Sequence, residues 1–396
     1  MGQPKGHSPL GASGASRWLP SPYGGGCTGS VTLSEGIKEV YDDGEFSAPG
    51  QAAHALAEIC LVKGSDAWQR LGYEMPTEHG DIEVDKDMAD AVQVYLAAIR
   101  QAHPNAYEDN SWVEQQFHCP SLHEYFWGMA DFVYLDRQER VLHVWDYKHG
   151  AGIIVEVPDN PQCMYYGCGI LESLDLWTLV DTVVLHIAQP RGWHPDGAIR
   201  EWSISTTKLE RWLDDILIPG MDNALGSRDT KSGEHCRFCN ARGRKCPQIV
   251  ADFEEMEKIM EAMDAAKEIP NAMLGRFMDL FDVAKIANKA YGKLAYTRAM
   301  ANNPVPGRKL VSARSNRAFR EGAEDAAKAA FGKKAQTTTV LKSPAEIDKL
   351  PGGKAFSAEW ASKPDTGLCV VRSDDKRVAV SKDTKSMFTD VTKKGK

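Results

Sequence analysis

The fold of this chain is decided by one stretch, Val141-Leu142-His143-Val144-Trp145-Asp146-Tyr147-Lys148. Its first five residues are rich in β-branched and aromatic side chains, which predicts a buried strand. Asp146 and Lys148 are two residues apart at the end of this strand, so they point to the same face. A preceding strand is predicted at 132–135, with Asp131 at its start and a turn over 136–139. A hairpin of this kind would bring Asp131 beside Asp146.

Two carboxylates at a single point suit a divalent cation, and the ammonium group beside them could assist the reaction with its positive charge. Such a cation lowers the pKa of a bound water and polarises a phosphoryl oxygen. Lys148 could then orient the water or neutralise developing charge. An Asp-x-Lys tripeptide is common by chance, however, and the alternative is a surface hairpin with an ordinary salt bridge.

Polar residues elsewhere favour the metal site. Residues 50–61 have a helical pattern, in which His54 and Glu58 are four apart and share one face. A neutral imidazole there could be another metal ligand, and the alternative is a partly buried helix histidine. Glu114 lies in a predicted edge strand, 113–118, just before the hairpin.

The elements after the hairpin predict a mixed sheet. A helix over 162–171 places Gln162 and Tyr166 on one face, and strong strand patterns follow at 183–188 and 199–204. The last strand is expected to run antiparallel to its predecessor across the loop 190–197. A strand–strand–helix–strand order of this kind predicts an α/β fold, in which helices flank a mixed sheet.

Three cysteines form a second strong signal. Cys236 and Cys239 are separated by two residues, and Cys246 follows after six more. Two thiolates across a two-residue loop are a metal-ligand arrangement, and a third just beyond makes chance pairing a poor explanation. The spacing lacks a local fourth ligand, and it does not distinguish four-cysteine zinc from an iron–sulfur cluster.

The ordered set of polar residues resembles the RecB-like branch of the PD-(D/E)XK nuclease superfamily, over roughly residues 11–250. The matching residues, in chain order, are His54, Asp131, Asp146, Tyr147, Lys148, Gln162 and Tyr166. The resemblance implies a restriction-endonuclease-like fold. It also implies that the histidine and both aspartates hold Mg²⁺ or Mn²⁺, with the Tyr147 carbonyl as a further ligand. By the same resemblance, Lys148 assists the attack, Gln162 and Tyr166 contact DNA, and Glu58 belongs with the catalytic residues.

The resemblance also bears on the cysteines. RecB-like nucleases that carry an iron–sulfur cluster place one cysteine before the nuclease core and three after it, and four thiolates are what a [4Fe–4S] cluster requires. Cys27, in a glycine-rich loop, is the expected upstream ligand, and Cys60 is the alternative. Zn²⁺ remains open as the alternative metal, with His235 as a substitute ligand. In either case the metal would act as a clasp between the N-terminal loop and the segment after the core.

Composition is consistent with this interpretation. With 396 residues, of which 42% are hydrophobic, the chain can bury a large core and is expected to form two domains. The net charge of -8 is unusual for a DNA-binding protein, but DNA responds to local fields rather than to the sum. Nine cysteines with metal-type spacing suit a reducing cytoplasm. We expect no membrane span and no signal peptide.

The character of the chain changes after residue 250. We predict a nuclease core with the cysteine site at 1–250, a helical linker at 251–270, and an α+β accessory region at 271–396. Basic residues near 308–317 could contact DNA phosphates, or they could form a solvated loop. A terminal hairpin is predicted from the strand patterns at 367–372 and 377–380. This last third resembles the end of an uncharacterised family encoded by bacteriophages, which has the same RecB-like front half.

Together these features predict a metal-dependent DNA exonuclease of phage replication or recombination, acting in the host cytoplasm. A phage single-strand-binding or annealing protein is implied as a partner by the resemblance alone. One alternative is a non-catalytic DNA-binding factor for recombination or packaging, with a degenerate nuclease core. Another is a zinc-stabilised interaction protein, which would leave the carboxylate hairpin unexplained.

Overall fold

The computed structural model describes residues 8–35, 37, 44–106, 109–242, 246–265, 269–313, 317–320, 322–335, 341–362 and 367–380. The chain divides into two compact units, 1–290 and 291–396. The described helices are α1 (Ala15–Trp18), α2 (Ser30–Ser34), α3 (Gly44–Lys63), α4 (Lys86–Ala102), α5 (Pro161–Ser173), α6 (Thr206–Trp212), α7 (Ile218–Gly226), α8 (Pro247–Ala265), α9 (Asn271–Met300), α10 (Ala323–Phe331), α11 (Pro344–Ile347) and α12 (Gly353–Trp360). The described strands are β1 (Glu74–Met75), β2 (Ile82–Glu83), β3 (Ser111–His118), β4 (Trp127–Asp136), β5 (Val141–Tyr147), β6 (Thr182–Ala188), β7 (Ile199–Ser205), β8 (Arg308–Ser312), β9 (Ala318–Phe319), β10 (Ala361–Ser362) and β11 (Leu368–Arg372).

A five-stranded mixed sheet, in the order β3-β4-β5-β6-β7, forms the centre of the first unit. β3, β4 and β5 are antiparallel neighbours, β5 and β6 are parallel, and β7 is antiparallel to β6. Parallel strands need a long crossover connection, and α5 lies in the connection between β5 and β6. The predicted α/β fold with a mixed sheet and flanking helices is therefore confirmed.

Alternation along β5 divides its side chains between two hydrophobic cores. Leu142 and Val144 pack into the core that contains residues of α5 and α6, whereas Trp145 and Tyr147 pack into the core of α3 and α4. Fully burying a large apolar side chain of this kind stabilises the fold by roughly 1.5–3 kcal/mol. Because both faces of β5 are covered, Asp146 at its end is buried as well.

Two helices that position the site begin with side-chain caps. Asp85 precedes α4 and accepts a hydrogen bond from the backbone N–H of Met88. Asn160 precedes α5 and accepts from the N–H groups of Gln162 and Cys163, and Pro161 occupies the first helical position. Such caps satisfy amides that have no partner inside the helix. The first turn of α5, with Gln162, is thus held in place.

In the second unit, β8 pairs antiparallel with β11, and β9 pairs with β10. The predicted hairpin of 367–372 with 377–380 is wrong, because β11 finds its partner at 308–312 and residues 377–380 form no strand. The N–H of Val380 does donate to the carbonyl of Leu310. Of the predicted basic loop, residues 314–316 lie outside the described residues.

Two further outcomes concern the first unit. Asp131 does not start a strand, since β4 begins four residues earlier, at Trp127. The predicted linker 251–270 contains most of α8, and its residues 266–268 lie outside the described ranges. Within the described residues, no helix combines the length and apolar character needed to cross a membrane.

Candidate active site

A buried ion pair stands at the carboxyl end of β5. Lys148 Nζ lies 2.8 Å from Oδ2 of Asp146 and 3.1 Å from Oδ1, with side-chain exposures of 23% and 5% for the lysine and the aspartate. Burial raises the pKa of Asp146, and the lysine only partly opposes this shift. Burial lowers the pKa of Lys148, but Asp146 outweighs it and the pKa is raised. Lys148 therefore remains a cation at neutral pH.

Asp131 reaches this pair from the middle of β4. Its Oδ2 accepts a 2.6 Å hydrogen bond from the backbone N–H of Tyr147, the residue between Asp146 and Lys148. Its Oδ1 lies 3.5 Å from Nδ1 of His54 on α3. Burial raises the pKa of Asp131, but His54 and the Tyr147 N–H outweigh it, so the pKa is lowered. Asp131 is therefore an ionised carboxylate that links His54 on α3 to the backbone of β5.

Glu114, on the edge strand β3, joins His54 and Asp131 at this point. Ligand atoms of His54, Glu114 and Asp131 all lie within 4.8 Å of one another. Burial and Asp131 raise the pKa of Glu114 to about 8. Burial lowers the pKa of His54, but Asp131, Asp146 and Glu114 raise it to about 9. Both shifts favour the protonated form, since Glu114 is partly buried beside Asp131 and His54 lies among three carboxylates.

From the sequence, Glu114 is expected only in an edge strand before the hairpin, with no role as a ligand, whereas the structure places it in the site. Val113 pairs with Phe132 and Gln115 with Ala130, so the register puts Glu114 opposite Asp131. Its backbone has φ = 49°, in the left-handed region that L-residues rarely adopt. Such a conformation costs about 1–3 kcal/mol and concentrates at functional sites. The sequence showed only an acidic residue in an edge strand, without the register or the dihedral angle.

Gln162 and Tyr166 lie on the α5 side of the ion pair. The Gln162 side-chain carbonyl accepts from Lys148 Nζ at 3.0 Å, and its amide nitrogen donates to the Tyr166 hydroxyl at 2.9 Å. The same nitrogen is 3.4 Å from Oδ1 of Asp146. Burial raises the pKa of Tyr166, so its hydroxyl is neutral. The predicted helix spacing therefore brings both residues to one short chain of hydrogen bonds with Lys148.

Two other predicted residues flank this group. Glu58 is exposed on α3, one turn after His54, and its charge contributes to the raised pKa of Glu114. It does not belong to the group of His54, Glu114 and Asp131 whose ligand atoms converge. The Tyr147 ring makes an edge contact with His54 at a 5.5 Å centroid distance. Its hydroxyl lies 2.9 Å from Nδ1 of His149. Tyr147 thus supports His54 through its ring and Asp131 through its backbone.

The N-terminal loop lies against the segment that contains the other cysteines. The backbone N–H of Lys231 donates to Sγ of Cys27 at 3.4 Å, and Thr32 Oγ1 donates to the carbonyl of Ser227 at 2.7 Å. A Cβ on Gly25 would lie 2.1 Å from Nδ1 of His235, so only glycine allows this approach. The two segments are thus in direct contact, although about 200 residues separate Thr32 from Ser227 (|i−j| = 195).

Electrostatic neighbours distinguish the two candidate upstream cysteines. Burial raises the pKa of Cys27, and Cys239 and Cys246 raise it further. Burial raises the pKa of Cys236 to about 12, again with contributions from Cys239, Cys27 and Cys246. Cys60 instead packs into the core of α3 and α4. In the described residues, no three thiol sulfurs lie within 4.8 Å of one another. A tetrahedral zinc site with Zn–S bonds of ~2.3 Å would need sulfur–sulfur distances of about 3.8 Å.

A separate group of three histidines lies inside the first unit. Ligand nitrogens of His103, His143 and His186 lie within 4.8 Å of one another. His143 Nδ1 is 3.0 Å from His186 Nε2, and Trp145 Nε1 donates to His103 Nε2 at 3.0 Å. The lone pair of His103 is thus already used. Burial lowers the pKa values of His103 and His143 to about 4, so the group is a neutral, hydrogen-bonded part of the core.

Comparison with known families gives one finding. A family model described as "Protein of unknown function (DUF2800)" matches residues 7–378. The match includes the sheet, the carboxylate group, the cysteines and most of the second unit.

Proposed function

Since this chain belongs to the DUF2800 family of proteins of unknown function, its activity has to follow from the site, and we propose that it is a divalent-metal-dependent deoxyribonuclease. One observation carries the proposal. Ligand atoms of His54, Glu114 and Asp131, from three different elements, converge within 4.8 Å beside the buried Asp146–Lys148 pair. The sequence resemblance to RecB-like nucleases of the PD-(D/E)XK superfamily supports the same conclusion.

The donor set suits Mg²⁺ or Mn²⁺. Carboxylate oxygens are the ligands that these hard cations prefer, and one imidazole nitrogen is better tolerated by Mn²⁺. Asp131, Glu114 and His54 would hold the ion, and Asp146 and the Tyr147 carbonyl are further candidates. A bound ion of this kind supplies Lewis acidity and a water of lowered pKa. The raised pKa values of Glu114 and His54 fit the donor set, because a cation would replace the protons held there.

The chain's own residues have distinct tasks in phosphodiester hydrolysis. Lys148, held as a cation by Asp146, neutralises charge that develops on the phosphoryl oxygens. Gln162 holds Lys148 through its carbonyl and Tyr166 through its amide, so one rigid helix face orients both the lysine and the DNA strand. Asp131 holds His54 and the backbone of β5 in position, through its contacts with His54 Nδ1 and with the N–H of Tyr147.

We also propose that Cys27, Cys236, Cys239 and Cys246 hold a [4Fe–4S] cluster as a structural clasp, with Zn²⁺ as the alternative. Contact between the N-terminal loop and the cysteine segment supports this assignment. The test is direct. Anaerobically purified protein should be brown, and Cys239→Ser should lose the colour while Cys60→Ser keeps it. Colourless protein with one zinc per chain would replace the cluster with zinc.

The nuclease proposal is tested with end-labelled linear DNA and circular DNA, incubated with Mg²⁺, Mn²⁺ or chelator. We expect metal-dependent loss of linear DNA, with Asp146→Asn and Lys148→Met inactive. Asp136→Asn is the control, since Asp136 ends the neighbouring strand β4, where its Oδ1 accepts hydrogen bonds from the N–H groups of Gln138 and Glu139.

Each outcome has a distinct meaning. Degradation of linear DNA alone assigns an exonuclease, and cleavage of the circle assigns an endonuclease. DNA binding without cleavage under any metal would refute the proposal in favour of a non-catalytic DNA-binding factor. Equal activity in Asp146→Asn and Asp136→Asn would place the chemistry elsewhere.

A further inference from the structure

The loop 190–197, between β6 and β7, lies at the same edge of the sheet as the candidate active site. β5 and β6 are parallel, and Tyr147 pairs with Ala188 where both strands end. The N–H of Lys148 then donates to the carbonyl of Ala188 at 2.8 Å. Because parallel neighbours end at a common edge, the loop after β6 starts beside the end of β5 that carries Lys148.

Buried contacts hold this loop against the segment that follows β5. Gln189 is 1% exposed, and its Nε2 donates to the carbonyls of Gly150 and Ile153 at 2.8 and 2.7 Å. A Cβ on Gly192 would lie 2.8 Å from Cδ1 of Ile154, so the loop and this segment pack closely. The loop is therefore fixed at its base, and side chains that leave it have a defined place beside the site.

Arg191 extends from this loop toward the candidate active site. Its Nη1 donates to Nε2 of His149 at 2.9 Å. His149 in turn contacts the Tyr147 hydroxyl, and the Tyr147 ring contacts His54, so three side-chain contacts connect Arg191 to His54. Arg191 is exposed, and in the part of the chain that the structure describes no carboxylate forms an ion pair with it. A positioned guanidinium without an acidic partner suits a phosphate group.

Trp193, two residues after Arg191, presents its indole to solvent. Its exposed fraction is 82%, although the loop beneath it is fixed. Two acidic side chains nearby, Glu156 and Asp196, face His194 at 3.4 and 3.8 Å rather than Arg191. Aromatic side chains beside a cationic group are the usual platform on which the bases of a single strand stack.

We propose that the loop 190–197 binds the DNA strand, with Arg191 on a backbone phosphate and Trp193 stacked on an unpaired base. The inference rests on the proposed action on DNA and adds to it the form of DNA that is bound. Inside a duplex, both faces of a base are covered by its neighbours. The stack on Trp193 therefore requires a single strand or a frayed end.

The experiment measures binding of a short labelled single-stranded oligonucleotide in chelator, by fluorescence anisotropy at several salt concentrations. Loss of one base stack in Trp193→Ala should weaken binding by about 5- to 150-fold, without changing the salt dependence. Arg191→Met should also weaken binding, and the slope of log K against log salt should become shallower by about 0.7, as for one lost phosphate contact. Binding of covalently closed circular duplex, measured by competition, should be nearly unchanged in Trp193→Ala.

Matched controls come from other surfaces of the chain. Trp68 is also an exposed tryptophan, at 50%, and it bonds to Asp90, so Trp68→Ala should bind DNA as wild type does. Arg137 is exposed in the turn between β4 and β5, at the opposite end of β5, so Arg137→Met should keep the wild-type salt slope. Trp193→Phe, which keeps a ring, should recover most of the affinity, and Arg191→Lys should recover the slope.

The outcomes separate this inference from the nuclease proposal. A wild type that does not bind the single strand would overturn the inference, as would unchanged binding by Trp193→Ala or an unchanged slope in Arg191→Met. If Arg191→Met does not fold, Arg191→Gln, which can still donate to His149, carries the same comparison. If the expected binding effects are found but no metal supports cleavage, only the nuclease proposal falls. If DNA is cleaved and the variants bind as wild type does, only this inference falls.

Discussion

Replacing Lys148 with methionine removes the cation from the buried pair while keeping most of the side-chain volume. In the wild type, Lys148 Nζ contacts both oxygens of Asp146, at 2.8 and 3.1 Å, and the Gln162 carbonyl at 3.0 Å. The substitution leaves a carboxylate with 5% side-chain exposure without its partner. Breaking a buried pair in this way costs about 3–5 kcal/mol.

Protonation of Asp146 sets an upper limit to that cost. A carboxyl with an ordinary pKa of 3.8 takes up a proton at pH 7.5 for about 5 kcal/mol, and at pH 5 for only about 1.6 kcal/mol. The destabilisation by Lys148→Met should therefore fall to about 2 kcal/mol or less at pH 5. Adding Asp146→Asn to Lys148→Met should recover most of the stability at pH 7.5. The two single variants and the double variant should nevertheless all lose DNA cleavage by at least about a hundredfold.

The assay is guanidinium unfolding in chelator, followed by tryptophan fluorescence, because all but Trp360 of the 10 tryptophans lie in residues 1–290. Lys86→Met is the control. Its partner Asp90 forms an exposed pair at 2.5 Å on α4, and we expect no measurable change there. A cost below about 1 kcal/mol for Lys148→Met, or a cost that does not fall at pH 5, would refute the argument that this is a buried charge pair.

Three further predictions concern neighbouring groups. Glu114→Gln should weaken Mn²⁺ binding by about tenfold or more, measured by calorimetry, because it removes one charge at constant shape; unchanged affinity would exclude Glu114 as a ligand. His54→Ala should lose activity with Mg²⁺ and recover part of it with Mn²⁺, and full activity with Mg²⁺ would make His54 a packing residue. Stability should fall as the pH drops from about 6.5 to about 4, because the folded-state pKa values of His103 and His143 lie below their unfolded values. The free energy of unfolding should fall by at most about 3 kcal/mol per histidine, measured from unfolding curves at a series of pH values. If a His143→Phe variant showed the same pH dependence as wild type, His143 would not be the cause of this fall.

The sequence revealed those parts of the site that depend on short separations. Asp146 and Lys148 share a strand face at a spacing of two, and Gln162 and Tyr166 share a helix face at a spacing of four, so periodicity alone predicts both pairs. The mixed sheet followed in the same way from strand patterns and a helical crossover. Each of these inferences uses geometry that is local to one element.

Contacts that depend on register or on distant pairing could not be predicted. Glu114 meets Asp131 only because β3 and β4 pair in one register and the backbone of Glu114 adopts φ = 49°. β11 joins β8 rather than the nearer segment 377–380, and pairing between strands so far apart in the chain has no local sequence signal.

The contact between the N-terminal loop and the later cysteine segment also sets an order of events during synthesis. Trp18 and Leu19 are completely buried in the core of α5 and α6, and Thr28 bonds to Ser227, 199 residues further along. At about 5–20 residues per second, a ribosome needs roughly 10–40 s to make the intervening chain. During that time the side chains of Trp18 and Leu19 lack the α5 and α6 surfaces that cover them in the folded protein. Residues made early in translation are therefore among the last to reach their final contacts.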